Sequence, residues 1–186
     1  MTEIRAWWKA DPTERYWIEF ARDREVGGQL QAPRADDPTK SKWPWKMLEE
    51  TQVGDIVIHW RSSHAADQSQ IVGWSVIADE PTVGHFAWDA VRDDSDYGRS
   101  LGTIVPLTSF HPLDRPVWAR DLRDSADDIM TVRDDLQARY GSPLYFPLTI
   151  RNQRLSGIQG YFTKFPRELL PIIAKHGDLE LPETLA

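Results

Sequence analysis

Two apolar, β-rich runs constrain this chain more than any other feature. Residues 56–60 read I-V-I-H-W and residues 70–78 read Q-I-V-G-W-S-V-I-A, with a Val53-Gly54-Asp55 turn leading into the first. Only the polar segment 61–69 separates them. That connection is too short for a helical crossover, so the two runs are expected to pair as antiparallel strands. The rest of the chain must be built around this hairpin.

An opening strand is expected over 15–22, R-Y-W-I-E-F-A-R, from its alternation and composition. Trp17 and Phe20 then point to opposite faces, with at least one in the core. Short helices are expected at 3–9 and from Trp43-Pro44-Trp45 to Glu50, with Pro44 suited to a first turn. Segment 23–42 reads as a long polar loop and 80–98 as irregular and acidic. A strand follows at 100–107 and a short helix at 116–123. Ser125 is placed to N-cap a helix through Arg139, which Gly141 closes. Residues 144–151 read as an edge strand because they contain Pro147, 160–163 as a short strand, and Pro166 opens a last amphipathic helix ending near His176-Gly177.

Regular strand–helix alternation is missing, which argues against a doubly wound sheet. The expected fold is α+β: a small mixed or antiparallel β-barrel decorated by helices. A chain of 186 residues suits one domain, taken as 1–177, while the acidic, proline-containing 178–186 reads as a linker-like tail that hints at a longer protein.

Hydrophobic and charged fractions of 40% and 27% are those of a soluble globular protein. The chain has no cysteine, which excludes disulfides and zinc–thiolate sites. The N-terminus lacks a signal-peptide pattern and no apolar run reaches membrane-spanning length, so no membrane partner and a cytoplasmic location are expected. A net charge of −7 argues against nonspecific nucleic-acid binding. The charge is uneven, however, with acids gathered in 89–96 and 121–135. Arg34, Lys40, Lys42, Arg151, Arg154 and Lys164 fall in basic segments. These are either ordinary solvated surface or one basic face that contacts phosphate.

No chemistry-bearing motif emerges. His59, His64, His85, His111 and His176 lack metal-ligand spacing. Ser62, Ser63 and Ser75 sit in no G-x-S-x-G context, and no phosphate-binding glycine loop occurs. A binding module is expected, with no cofactor and no metal, rather than an enzyme.

Nine tryptophans are present, and Trp43, Trp45, Trp60 and Trp74 cluster around the hairpin. Indoles at the ends of adjacent elements point to a pocket that stacks on a flat ligand, of which a nucleobase is the commonest. Trp43 and Trp45 either line such a pocket or pack their helix on the sheet. Trp60 is either a cage wall or a rim residue, and Trp74 either stacks or fills the core. Ser62 either bonds a base edge or caps a turn. A loop amide at Gln31 suits an exocyclic amine, and Asp79 either accepts from cytosine N4 or caps a turn.

The ordered pattern over 43–81, W-P-W-K-M-L-E-E-T-Q-V-G-D-I-V-I-H-W-R-S followed by I-V-G-W-S-V-I-A-D-E-P, resembles the EVE domain. EVE belongs to the PUA-like superfamily, together with YTH and ASCH. The opening strand and the segments Y-F-P-L and G-Y-F-T-K-F-P fit more loosely, and the long segments 23–42 and 81–140 depart from the shorter EVE pattern. The resemblance implies a compact β-barrel with an aromatic-lined pocket for a modified base. It also implies a partner: DNA carrying 5-methylcytosine or 5-hydroxymethylcytosine, with the base flipped into the pocket. EVE-like modules are often fused to HNH-type nucleases in modification-dependent restriction systems, and the tail is compatible with such a fusion. Two other readings stay open from the superfamily: an RNA-binding module and an ASCH-like small-molecule enzyme.

Overall fold

A computed structural model describes residues 6–22, 26–33, 43–63, 65, 68–86, 100–108, 110–141, 144–151, 154–158 and 160–181. Its largest sheet has the order β10-β1-β3-β4-β7, built from β1 (Tyr16–Arg22), β3 (Ile56–Ser62), β4 (Gln70–Val76), β7 (His111–Trp118) and β10 (Phe162–Lys164). β3 and β4 form the expected antiparallel hairpin, with Ile58 opposite Trp74. β1 runs parallel to β3, from Tyr16 opposite Ile56 to Arg22 opposite Ser62, so the sheet is mixed.

The second sheet is antiparallel, in the order β2-β6-β5: β2 (Gln29–Pro33), β6 (Ser100–Pro106) and β5 (Thr82–Phe86). β8 (Leu148–Arg151) and β9 (Arg154–Gly157) make a separate hairpin. The two sheets meet at a corner where Ile77 bridges Leu107, supported by Ala78 N–H to the Pro106 carbonyl (2.9 Å) and Thr108 N–H to the Val76 carbonyl (2.8 Å). At the opposite side Tyr161 joins them: its carbonyl accepts from Phe20 N–H (2.7 Å) and its hydroxyl from Gln31 N–H (3.1 Å). The α+β class is as expected, but among the described residues the strands form a five-stranded, a three-stranded and a two-stranded sheet rather than one closed ladder.

The helices are α1 (Trp43–Lys46), continued by a 3-10 turn over Met47–Glu50, α2 (Ala126–Tyr140) and α3 (Leu170–Ala174). On α2, Ile129 and Leu136 are fully buried on one stripe. Gly141 ends that helix with φ 86°, as a C-terminal glycine does, and its N–H donates to the Gln137 carbonyl. Ser125 does not cap it; its hydroxyl lies 2.8 Å from His176 Nε2.

Other expectations need correction. Residues 116–123 are not a helix: Pro116 lies in β7, and a 3-10 turn follows only at Asp121–Ser125. β7 is an edge strand, where Pro112 and Pro116 forfeit no ladder bond that a central strand would need. The polar segments 23–42 and 80–98 contain β2 and β5. Trp17 and Phe20 do lie on opposite faces, and both are buried because both faces of the sheet are covered. Residues 178–181 are seated on β7, with Asp178 N–H donating to the Arg115 carbonyl (3.2 Å) and Leu179 buried.

Candidate functional site

Gly54 and Asp55 organise one end of the central sheet. Gly54 takes φ 85°, a left-handed turn that an L side chain resists. The turn aims the Asp55 carboxylate inward, where it is buried. Asp55 Oδ2 accepts from Trp17 Nε1–H (2.7 Å) and from Gln52 N–H (3.0 Å), and Oδ1 accepts from Arg15 Nε–H. The G-D pair thus locks β1 to β3 at their starting ends.

At the same end, Trp8, Lys9, Pro12, Glu14, Arg15, Glu50, Gln52, Asp55 and Lys164 line a cleft of about 330 Å³. Burial, with Glu168 nearby, pushes the Glu14 carboxyl up to about 7. Burial also pulls the Lys164 ammonium down to about 8, against the attraction of Asp55 and Glu14.

Farther along the sheet, Glu19, His59 and Ser75 line up across β1, β3 and β4 on one face. His59 Nδ1 lies 2.8 Å from Glu19 Oε2, and its Nε2 lies 3.0 Å from Ser75 Oγ. Glu19 and Ser75 thus hold the two ring nitrogens of His59 from opposite sides. This is the ordering of a nucleophile, base and orienter. Yet His59 and Ser75 are 0% exposed and Glu19 3%, so an acyl group has no route to Ser75 Oγ. The chain of bonds satisfies three buried polar groups and ties three strands together. Phe110 covers it, its ring edge-on to His59 at 5.6 Å. Gly73 makes this approach possible: a Cβ there would meet the Phe110 ring at 2.4 Å.

The anticipated base-binding residues separate. Trp60 is 1% exposed and packs on Phe20 (6.0 Å between centroids), so it is a core residue, not a cage wall. Trp45 is half-buried against the core. Trp74 is half-buried and stacks on the exposed His111, with centroids 4.1 Å apart and planes 12° from parallel. Ser62 ends β3 beside Arg22 of β1. Gln31 is half-buried within β2, not on a loop. Asp79 is exposed and its Oδ1 accepts from Glu80 N–H at 2.8 Å, the turn role. Trp43 opens α1, but its side chain lies outside the described residues.

Among the basic residues, Lys164 is corrected most sharply. It is 2% exposed, at the Gly54-Asp55 end of the sheet, with Nζ 4.0 Å from the centroid of Trp17. It cannot belong to an open phosphate-tracking surface. Arg151 and Arg154 face each other across the β8–β9 hairpin, with their side chains outside the described residues. Arg34, Lys40 and Lys42 lie outside them altogether. Sequence reading missed the Glu19–His59–Ser75 line, whose only signal was three polar residues inside otherwise apolar strands.

No group of three or more metal-ligating side chains occurs among the described residues. No helix among them is long and apolar enough to cross a membrane.

The class these features define is an α+β fold whose two larger sheets are joined at Ile77–Leu107 and at Tyr161. No family model and no curated protein matches the chain. Several solved structures are similar. The N-terminal domain of Staphylothermus marinus McrB shares 14% identity at a TM-score of 0.47, over 88% of this chain and 94% of that one. A Pseudomonas putida protein shares 15% at 0.48, over 86% and 97%. Human THYN1, solved in complex with 5-methylcytosine-containing DNA, shares 10% at 0.44, over 89% and 99%. No residue role passes from them to this chain.

Proposed function

We propose that this chain is a binding module for a modified base in DNA, most simply 5-methylcytosine or 5-hydroxymethylcytosine, taken out of the duplex into an aromatic pocket. It would serve as the specificity domain of a modification-dependent restriction system. The observation that supports this reading is the EVE-like pattern over 43–81, whose elements follow in the expected order: α1, the Gly54-Asp55 turn, and the paired strands β3 and β4. Two members of that pattern, Trp45 and Trp74, are only partly buried. The pocket residues of the proposal are Trp43, Trp45 and Trp74, with Ser62, Gln31 and Asp79 as polar contacts. Arg34, Lys40, Lys42, Arg151 and Arg154 are its phosphate contacts.

Extruding a paired base costs a few kcal/mol. Stacking returns roughly 1–3 kcal/mol per base, so indole contacts offset the extrusion and phosphate contacts add salt-dependent affinity. The test is a fluorescence titration at fixed salt. Duplexes with one 5-methylcytosine, one 5-hydroxymethylcytosine or no modification are compared with single-stranded RNA of the same sequence. Tighter binding of a modified duplex, weakened by Trp43→Ala, is expected. Equal affinity for modified and unmodified duplex overturns the proposal, and preference for RNA replaces it with an RNA-binding reading.

A further inference from the structure

Among the described residues, none of those proposed above for the pocket lines the cleft at the Gly54-Asp55 end. The cleft sits where β1 and β3 begin, whereas Ser62 lies where they end. At about 330 Å³ it falls at the small end of the range for metabolite sites and holds no polymer. Most of its charges are matched. Lys9 pairs with Glu50 at 2.7 Å, Arg15 pairs with Asp55, and Glu14 Oε2 accepts from Arg167 N–H at 3.3 Å.

Lys164 is the exception. Its side chain is almost entirely buried, yet among the described residues no hydrogen bond or ion pair reaches the ammonium, which lies over the Trp17 ring while Asp55 and Glu14 attract it from farther off. An ammonium on a buried stem, whose donors meet only the open space of the cleft, is poorly solvated, and a ligand acceptor relieves that cost. The ring face beneath it supplies only part of a solvation shell. Trp8 and Pro12 add an apolar wall to the same cleft.

We propose that this cleft binds a small organic molecule carrying one singly charged oxyanion group, a carboxylate or a phosphodiester, with Lys164 as its anchor and the Trp8–Pro12 wall against its apolar body. Multiply charged anions are disfavoured because Glu14, Glu50 and Asp55 stand around the same space. Lys164→Met removes the charge and keeps an apolar stem over Trp17.

The experiment titrates the whole chain with benzoate, the phosphodiester monoanion diethyl phosphate and the uncharged control benzamide. Binding is followed by the rise in Tm and by the NMR signals of the Trp8 and Trp17 indoles and the Lys164 ammonium. A saturable response to benzoate or diethyl phosphate, with benzamide silent, is expected. The responding arm identifies the oxyanion. Affinity should fall by about tenfold or more in Lys164→Met. No saturable response to either anion overturns the proposal, as does an unchanged response in Lys164→Met. If that variant does not fold, the wild-type ammonium signal decides: it must move along the same isotherm as the indoles, and a stationary signal overturns the assignment.

Discussion

The Lys164 ammonium lies 4.0 Å above the Trp17 ring, and the indole N–H of that ring donates to Asp55. One tryptophan therefore carries a cation on its face and an anion at its edge, a polar arrangement inside the apolar body of the sheet.

Stability should pass through a minimum between about pH 7 and pH 8 from these groups. Glu14 rises from 4.5 to about 7 on folding, so between those values the folded protein holds a proton that the unfolded chain has lost, and stability falls as pH rises. Lys164 drops from 10.5 to about 8, so between those values the folded protein has released a proton that the unfolded chain keeps, and stability rises with pH. Urea midpoints measured from pH 4.5 to 10.5 check both limbs. Glu14→Gln should flatten the acid limb and leave the alkaline one.

Asp55→Ala should cost about 3–5 kcal/mol, because it leaves the Trp17 N–H and the Arg15 guanidinium without their acceptor. Asp55→Asn keeps one acceptor oxygen and should cost less. Denaturant unfolding gives both values.

Ser75→Ala and Glu19→Gln should not add. Both act on His59, from opposite ring nitrogens. A double-mutant cycle should return a coupling energy on the order of 0.5–3 kcal/mol. A coupling of zero would show that the three groups act independently.

Trp60→Ala and Trp74→Ala should differ in kind. Trp60 is sealed in the core and its truncation should cost about 3–5 kcal/mol. Trp74 is half-buried, and its stack on His111 is worth about 0.5–1.5 kcal/mol beyond area. Thermal unfolding should show a large fall in Tm for the first and a small one for the second, so binding assays are interpretable only at Trp74.

The β3–β4 hairpin was legible because its apolar runs and short polar loop leave one pairing. β2 and β5 were not, since their glycines, prolines and polar residues mask the alternation. β7 was read in part as helix because it carries Pro112 and Pro116, and edge position is a property of the assembled sheet. Burial was the least legible quantity at the site. Trp60 and Trp74 sit in similar apolar strands, yet only Trp60 is closed over. Lys164 reads as surface by charge alone, and only the pairing of β10 with β1 puts it on Trp17. The Glu19–His59–Ser75 line likewise needs the register of three strands before it exists.

The place of β1 between β3 and β10 has a consequence for synthesis on the ribosome. Its seven residues emerge before both of its partners, so one flank of the ladder waits for 56–62 and the other for 162–164. Until residues 162–164 are made, Trp17 has no Phe162 to stack on and an exposed strand edge is available to any neighbouring nascent chain. Truncations that end before 162 should therefore aggregate rather than yield a smaller folded core.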